Sequence, residues 1–216
     1  MKVLIACEES QEVCKAFRAK GHEAYSCDIQ DCSGGHPEWH IKGDVLAILN
    51  QGWDLIIAHP PCTYLSASGA KWYYHPEDKH LPTYRRRPHP KFPNRHQDRC
   101  RAIAFFLTII NADCPKIAVE NPIGIMSSIY GKPNQIIQPY EYGHEASKAT
   151  CLWLKGLPNL VPTNIVSRGE FVTFKSGKKM AKWYSEALSH DAATRAKIRN
   201  KTFRGIAEAM ANQWSI

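Results

Sequence analysis

Residues 54 to 63 read DLIIAHPPCT, an apolar run followed by two prolines that present Cys62 where a buried strand would end. A cysteine set there reads as a positioned group and not as core filler, because a thiol becomes a nucleophile only where its surroundings favour the thiolate. A second run, KIAVENP at 116 to 122, ends on Glu120 and Asn121. KVLIA at 2 to 6 leads to Cys7, Glu8 and Glu9, and HEAYSCDI at 22 to 29 finishes on Asp28. Four strand-like runs with polar, chemically able residues at one end describe a cleft for a ligand with a ribose and a substrate whose conversion needs an acid.

The elements that must position these residues alternate along the chain. EVCKAFRAKG at 12 to 21 places Val13, Cys14 and Phe17 on one face at helical spacing, with Ser10 as the expected cap. KGDVLAILNQG at 42 to 52 reads as a turn and short helix, and RHQDRCRAIAFFLTIINADC at 95 to 114 as a longer one. KATCLWLKGLPNLVPT at 148 to 163 reads as a strand and turns, EFVTFKSGKK at 170 to 179 as a basic hairpin, and a closing helix starts near Phe203. Strands alternating with helices predict an α/β fold with a mostly parallel sheet and helices on both faces. In such sheets ligands sit at the carboxyl ends of the strands.

Composition sets the class. The 216 residues, 44% hydrophobic and 22% charged, are enough for one core, so residues 1–216 are read as a single domain. No apolar run is long enough to span a membrane, which predicts a soluble, cytoplasmic chain with reduced thiols at its eight cysteines. A formal net charge of +8 favours an anionic partner, nucleic acid first. Residues 66–101, rich in proline, basic and aromatic residues, read as a mobile basic lid whose cations meet phosphates while its rings offer stacking faces.

The order of these pieces resembles the DNA cytosine C5-methyltransferase family over most of the chain. DLIIAHPPCTYLSASG is similar to that family's nucleophile motif, with Pro61, Cys62, Ser66 and Gly69 at the matching places, and KIAVENP to its Glu-Asn-Val strand end. GDV at 43 to 45 resembles the family's Gly-Asp motif, and RNKTFRGIAEAM its closing Gly-Asn-x-Val motif and helix, with Asn200 as the asparagine.

The resemblance implies a Rossmann-like S-adenosylmethionine-dependent methyltransferase fold and transfer of methyl to C5 of cytosine in DNA. Cys62 would add to C6 as its thiolate, and Glu120 would hydrogen-bond N3 and the exocyclic amine. S-adenosylmethionine would be held at Cys7, Glu8, Asp28 (ribose), Asp44 (adenine), Pro61 and Asn200. Ser66, Asn121, Lys148 and Thr150 would face the base, the last two standing where the family carries a Gln-x-Arg-x-Arg motif that KATCLW replaces. A base inside a duplex would have to be flipped out to reach the thiol.

Departures from the family pattern shape the remaining expectations. ACEESQE has no glycine where the family has Phe-x-Gly-x-Gly, and Pro122 stands where it has valine. Residues 156–182 form only a small basic insertion in place of a large target-recognition domain, which implies relaxed sequence specificity of the sort a phage or other mobile-element enzyme could use. Two other functions stay open: a DNA-binding module that has lost catalysis, and an enzyme using the same thiol addition on a pyrimidine nucleotide. Cys27, Cys32, His36 and His40 have spacings that could surround zinc, but they match no standard finger and no metal is assigned.

Overall fold

The computed structural model describes residues 1–215. Seven strands form one sheet: β1 (Lys2–Ala6), β2 (Glu23–Asp28), β3 (His40–Lys42), β4 (Leu55–Ala58), β5 (Lys116–Pro122), β6 (Gln135–Ile137) and β7 (Thr150–Lys155). Their order across the sheet is β3-β2-β1-β4-β5-β7-β6. The pairs β1–β2, β1–β4, β2–β3 and β4–β5 are parallel, and β7 runs antiparallel to both of its neighbours. The helices are α1 (Glu12–Ala19), α2 (Arg95–Ile110), α3 (Met126–Ile129), α4 (Lys182–Ala187), α5 (Ala192–Asn200) and α6 (Arg204–Gln213).

Strand periodicity explains why both faces are covered. Along β1, Val3 and Ile5 point to the side of Phe17 on α1 and Met210 on α6, whereas Leu4 and Ala6 point to the side of Phe106 and Ile109 on α2. Buried on both faces, β1 and β4 can be almost wholly apolar, as VLIA and LIIA are. The chain thus adopts the expected Rossmann-like α/β architecture, mostly parallel with helices on both faces.

Three local expectations change. Ser10 does not cap α1; the N-cap is Gln11, in the left-handed region at φ 57°, and the amides of Val13 and Cys14 are taken by the Glu8 carboxylate at 2.7 and 3.2 Å. KGDVLAILNQG makes only a 3-10 turn at Val45–Ala47, capped by Asp44, whose carboxylate accepts from the Leu46 amide at 3.0 Å. HIK at 40 to 42, not read as a strand, pairs with β2 as edge strand β3.

The basic segment 66–101 folds as three 3-10 turns ahead of α2. Two buried groups organise it. The Asp78 carboxylate receives the Arg87 amide at 2.8 Å and its guanidinium at 2.7 Å. Arg95, 6% exposed, lies against the rings of Tyr64, Tyr73 and Phe92. Residues 156–182 carry an antiparallel hairpin of β8 (Phe171–Thr173) and β9 (Lys179–Ala181), and α4 follows it directly.

Candidate active site

The carboxyl ends of β1, β2, β4 and β5 lie side by side, with β1 and β4 adjacent at the point where the strand order reverses. Side-chain and backbone hydrogen bonds join the loops that leave β4 and β5. Asn121, 2% exposed, donates from Nδ2 to the Pro60 carbonyl at 2.9 Å. Further along, the Ile125 amide donates to Leu65 at 2.9 Å and the Ala67 amide to Ile123 at 3.1 Å. This contact requires glycine at 124, since a Cβ there would lie 2.0 Å from the Leu65 carbonyl oxygen. The Cys62 turn is closed by the Leu65 and Ser66 amides, which donate to the Cys62 carbonyl at 3.0 and 2.9 Å. Arg95 holds the next residue, donating to the Thr63 carbonyl at 2.8 Å.

Cys62 therefore stands on a braced turn beside Glu120. Burial and then the negative charge of Glu120 push its thiol up, while Lys148 and Arg199 pull it down, and the balance lies above the ordinary cysteine value. Burial also pushes Glu120 up, but a hydrogen bond from His59 and the charge of Lys148 outweigh it, leaving the carboxyl below its ordinary value. His59 Nδ1 is 3.0 Å from Glu120 Oε2. Lys148 Nζ donates to the Arg199 carbonyl at 3.0 Å, which ties the end of α5 to the segment before β7.

The residues expected at the base fall into two groups. Lys148 and Asn121 belong to the braced cluster, and Ser66 sits in the same turn with its hydroxyl 3.1 Å from that of Ser68. Thr150 is buried and turned to its own strand, its hydroxyl donating to the Lys148 carbonyl at 3.1 Å.

On the β1–β2 side, Cys7 faces Asp28, Cys27 and Asp44, and burial followed by these charges raises its thiol. Asp28 is half-buried and Asp44 exposed, while Ile29 and Leu46, the apolar neighbours that sequence reading passed over, are 74% and 41% exposed. Glu8 is 4% exposed and occupied with the α1 amides, so it holds the turn. Pro61 is exposed beside Cys62. Asn200 is the exposed last residue of α5, and its neighbour Arg199 is the one that reaches the Cys62 cluster.

The glycine-poor first turn has a structural solution. Cys7 and Gln11 adopt left-handed backbone at φ 60° and 57°, conformations that usually favour glycine. The Gln11 side chain, fully buried, accepts from the His36 amide at 3.1 Å and donates to the His36 carbonyl at 2.8 Å. The 33–36 loop thus clamps the turn from outside, approaching so closely that a Cβ on Gly34 would lie 2.5 Å from that of Gln11. Of the four residues weighed for zinc, three are engaged separately: His40 bonds Ser26 and the Gln30 carbonyl, His36 bonds Glu38, and Cys27 donates to the Gly43 carbonyl. Among the described residues no three His, Cys, Asp or Glu side chains converge as metal ligands.

Sequence reading placed His59 at the strand end without a role, and it missed Arg199 and Gly124 as parts of this site. The signal for His59 was its place in the HPPCT turn, and the other two had none.

No family model matches the chain, and no curated protein matches it. Among solved structures it is similar to a prophage-encoded E. coli protein assigned as a DNA modification methyltransferase, with 13% identity and a TM-score of 0.44 over 92% of this chain and 68% of that one. It is also similar to the methyltransferase EhMeth of Entamoeba histolytica, with 12% identity and a TM-score of 0.46 over 88% of this chain. The chain spans 60% of the length of that second protein. The fold assignment rests on the strand order and pairing described above.

Proposed function

We propose that the chain transfers a methyl group from S-adenosylmethionine to C5 of cytosine in DNA through a covalent adduct of Cys62 at C6. The observation that carries this reading is the placement of Cys62 and Glu120 on adjacent strand ends whose loops are hydrogen-bonded to one another. Cytosine C5 is a poor nucleophile until something adds at C6, so the chemistry needs a sulfur and an acid on one ring at once. As the sulfur gives up its proton to Glu120 and bonds to C6, the ring electrons move toward N3, to which Glu120 passes that proton. C5 then takes the methyl group and gives its own proton to solvent water, and the ring expels Cys62 as N3 returns its proton to Glu120.

The residues beside Cys7 fit the cofactor by their chemistry. Asp28 offers a carboxylate for ribose hydroxyls, Asp44 one for an adenine amine, and Ile29 and Leu46 offer uncovered apolar side chains next to each acid. Bound there, S-adenosylmethionine supplies an electrophilic methyl carried on a sulfonium. Lys148 and Arg199 place positive charge near Cys62, where it favours the thiolate and suits a phosphate or the O2 carbonyl of cytosine. The short chain between β7 and α6 favours a second reading, with a free pyrimidine nucleotide as acceptor.

The test is transfer of labelled methyl to cytosine-containing DNA and, in parallel, to free cytidine nucleotides. The expected result is label on C5 of DNA cytosine that is lost in Cys62→Ser and reduced at least about a hundredfold in Glu120→Gln. Label on the nucleotides alone selects the second reading. A folded, cofactor-binding chain that labels neither acceptor refutes both.

A further inference from the structure

His59 precedes the two prolines and has no part in the steps above. Its side chain is 8% exposed, its backbone amide is fixed by the Ala6 carbonyl at 2.9 Å, and Nδ1 meets Glu120 Oε2 at 3.0 Å. Nε2 is buried without a hydrogen-bond partner among the described residues. The charged groups facing the ring are Glu120 from β5 and Glu8 from the β1–α1 turn. Glu8 spends its carboxylate on the amides of Val13 and Cys14, so the imidazole makes its one bond to Glu120. Around Glu120 itself stand Lys148, Cys62 and Cys151. A ring nitrogen against a carboxylate oxygen fixes the tautomer, with the proton on Nδ1.

We propose that His59 is a positioning residue for Glu120, pinning Oε2 through Nδ1–H so that Oε1 faces the base, and holding the carboxylate left when the carboxyl proton passes to cytosine N3. This rests on the methyl-transfer reading. The step balances as follows: the Cys62 thiol gives its proton to Oε1 of the Glu120 carboxylate, the S–C6 bond forms, the C5=C6 pair becomes C4=C5, the C4=N3 pair settles on N3, and N3 takes that proton from Oε1. Elimination reverses this and returns the proton to Glu120, while the imidazole keeps its own on Nδ1 throughout. The bond from His59 is stronger to the carboxylate than to the neutral acid, so it favours the state in which the proton has been given up.

Three variants of the full chain separate positioning from space-filling. His59→Asn puts an amide nitrogen at the place of Nδ1, His59→Gln puts it nearer Nε2, and His59→Leu keeps bulk without a donor. The first readout is the titration of the Glu120 carboxyl by carbon NMR of glutamate-labelled protein, assigned with Glu120→Gln. The expected result is a midpoint unchanged in His59→Asn and raised by about one pH unit, a tenfold gain in proton affinity, in His59→Leu and His59→Gln. The second readout is transfer, with kcat down at least about tenfold in His59→Leu, KM for DNA little changed, and kcat restored in His59→Asn. A Glu120 midpoint equal in wild type and His59→Leu, or an undiminished kcat in that variant, overturns the proposal. If the wild-type chain transfers no methyl, the reading of function fails while the carboxyl titration still decides the pairing.

Discussion

Cys62 sits between opposing fields. Burial and Glu120 disfavour its thiolate, and Lys148 and Arg199 favour it, with the first pair prevailing. A thiol kept protonated until a base arrives is protected from oxidation and alkylation, and it becomes reactive only when its proton can pass by way of Glu120 to the ring. The sign of each substitution follows. Glu120→Gln removes the negative charge and lowers the Cys62 titration midpoint, by about one unit for a charge at close range, whereas Lys148→Met raises it. Iodoacetamide labelling of the Cys62 peptide across pH measures both, with the exposed Cys100 as internal control for the reagent. A midpoint that moves the same way in both variants would refute this balance. Cys62 and Glu120 were legible in the sequence because each closes an apolar strand and the pair matches a known motif. Lys148 had only a place in a replaced motif, and Arg199 had no signal, because α5 reaches the site through a tertiary contact that no local spacing encodes.

At the scale of elements, the site is two loops held at one distance. The β4 loop supplies the sulfur and the β5 loop the acid, and Gly124 lets the second lie against the Leu65 carbonyl. Gly124→Ala must move that carbonyl, since its Cβ would also lie 3.0 Å from the Ser66 Cα. A displacement of about 1 Å at a reacting pair costs on the order of a hundredfold in rate. Gly124→Ala is therefore expected to keep its fold but to lose about that factor in transfer, with faster amide exchange at Ile125, whose bond to Leu65 the shift weakens. Normal Ile125 protection together with normal transfer would show that the loops tolerate the methyl group. Strands β1, β4 and β5 could be read from sequence because each carries an apolar run bounded by polar residues, and β2 because Ala24, Tyr25 and Cys27 lie between the turn at Gly21 and Asp28. Edge strands β3 and β6 could not, being three residues long and paired on one side only. The cap of α1 misled for a physical reason: Ser10 is the better local cap, but the buried Glu8 already satisfies the first amides.

For the whole molecule, charge is segregated more sharply than the net +8 conveys. Residues 66–101 contain nine Lys and Arg against three Asp and Glu, residues 156–203 contain the same numbers, and the remainder is acidic, with ten against fourteen. The first segment continues from the Cys62 turn, to which Arg95 anchors it, and the second ends in α5, where Arg199 returns to the same cleft. The positive field thus belongs to the two segments that adjoin the site, and the rest of the chain is negative. A duplex held between them would release counterions at both, so its affinity should fall steeply with salt, by about 0.9 in log–log slope per phosphate contacted. Changing Lys175, Lys178 and Lys179 in the exposed β8–β9 hairpin to glutamine is expected to reduce that slope by about two to three, and changing Arg85 and Lys91 by about two. Fluorescence anisotropy with one cytosine-containing duplex over a series of salt concentrations measures both. A slope that responds to only one set would place the duplex on one segment, and a slope indifferent to both would remove DNA from this face. Because these contacts are to phosphates, the same substitutions should weaken all sequences alike, leaving any preference for the bases around the target cytosine to the groups that touch the ring.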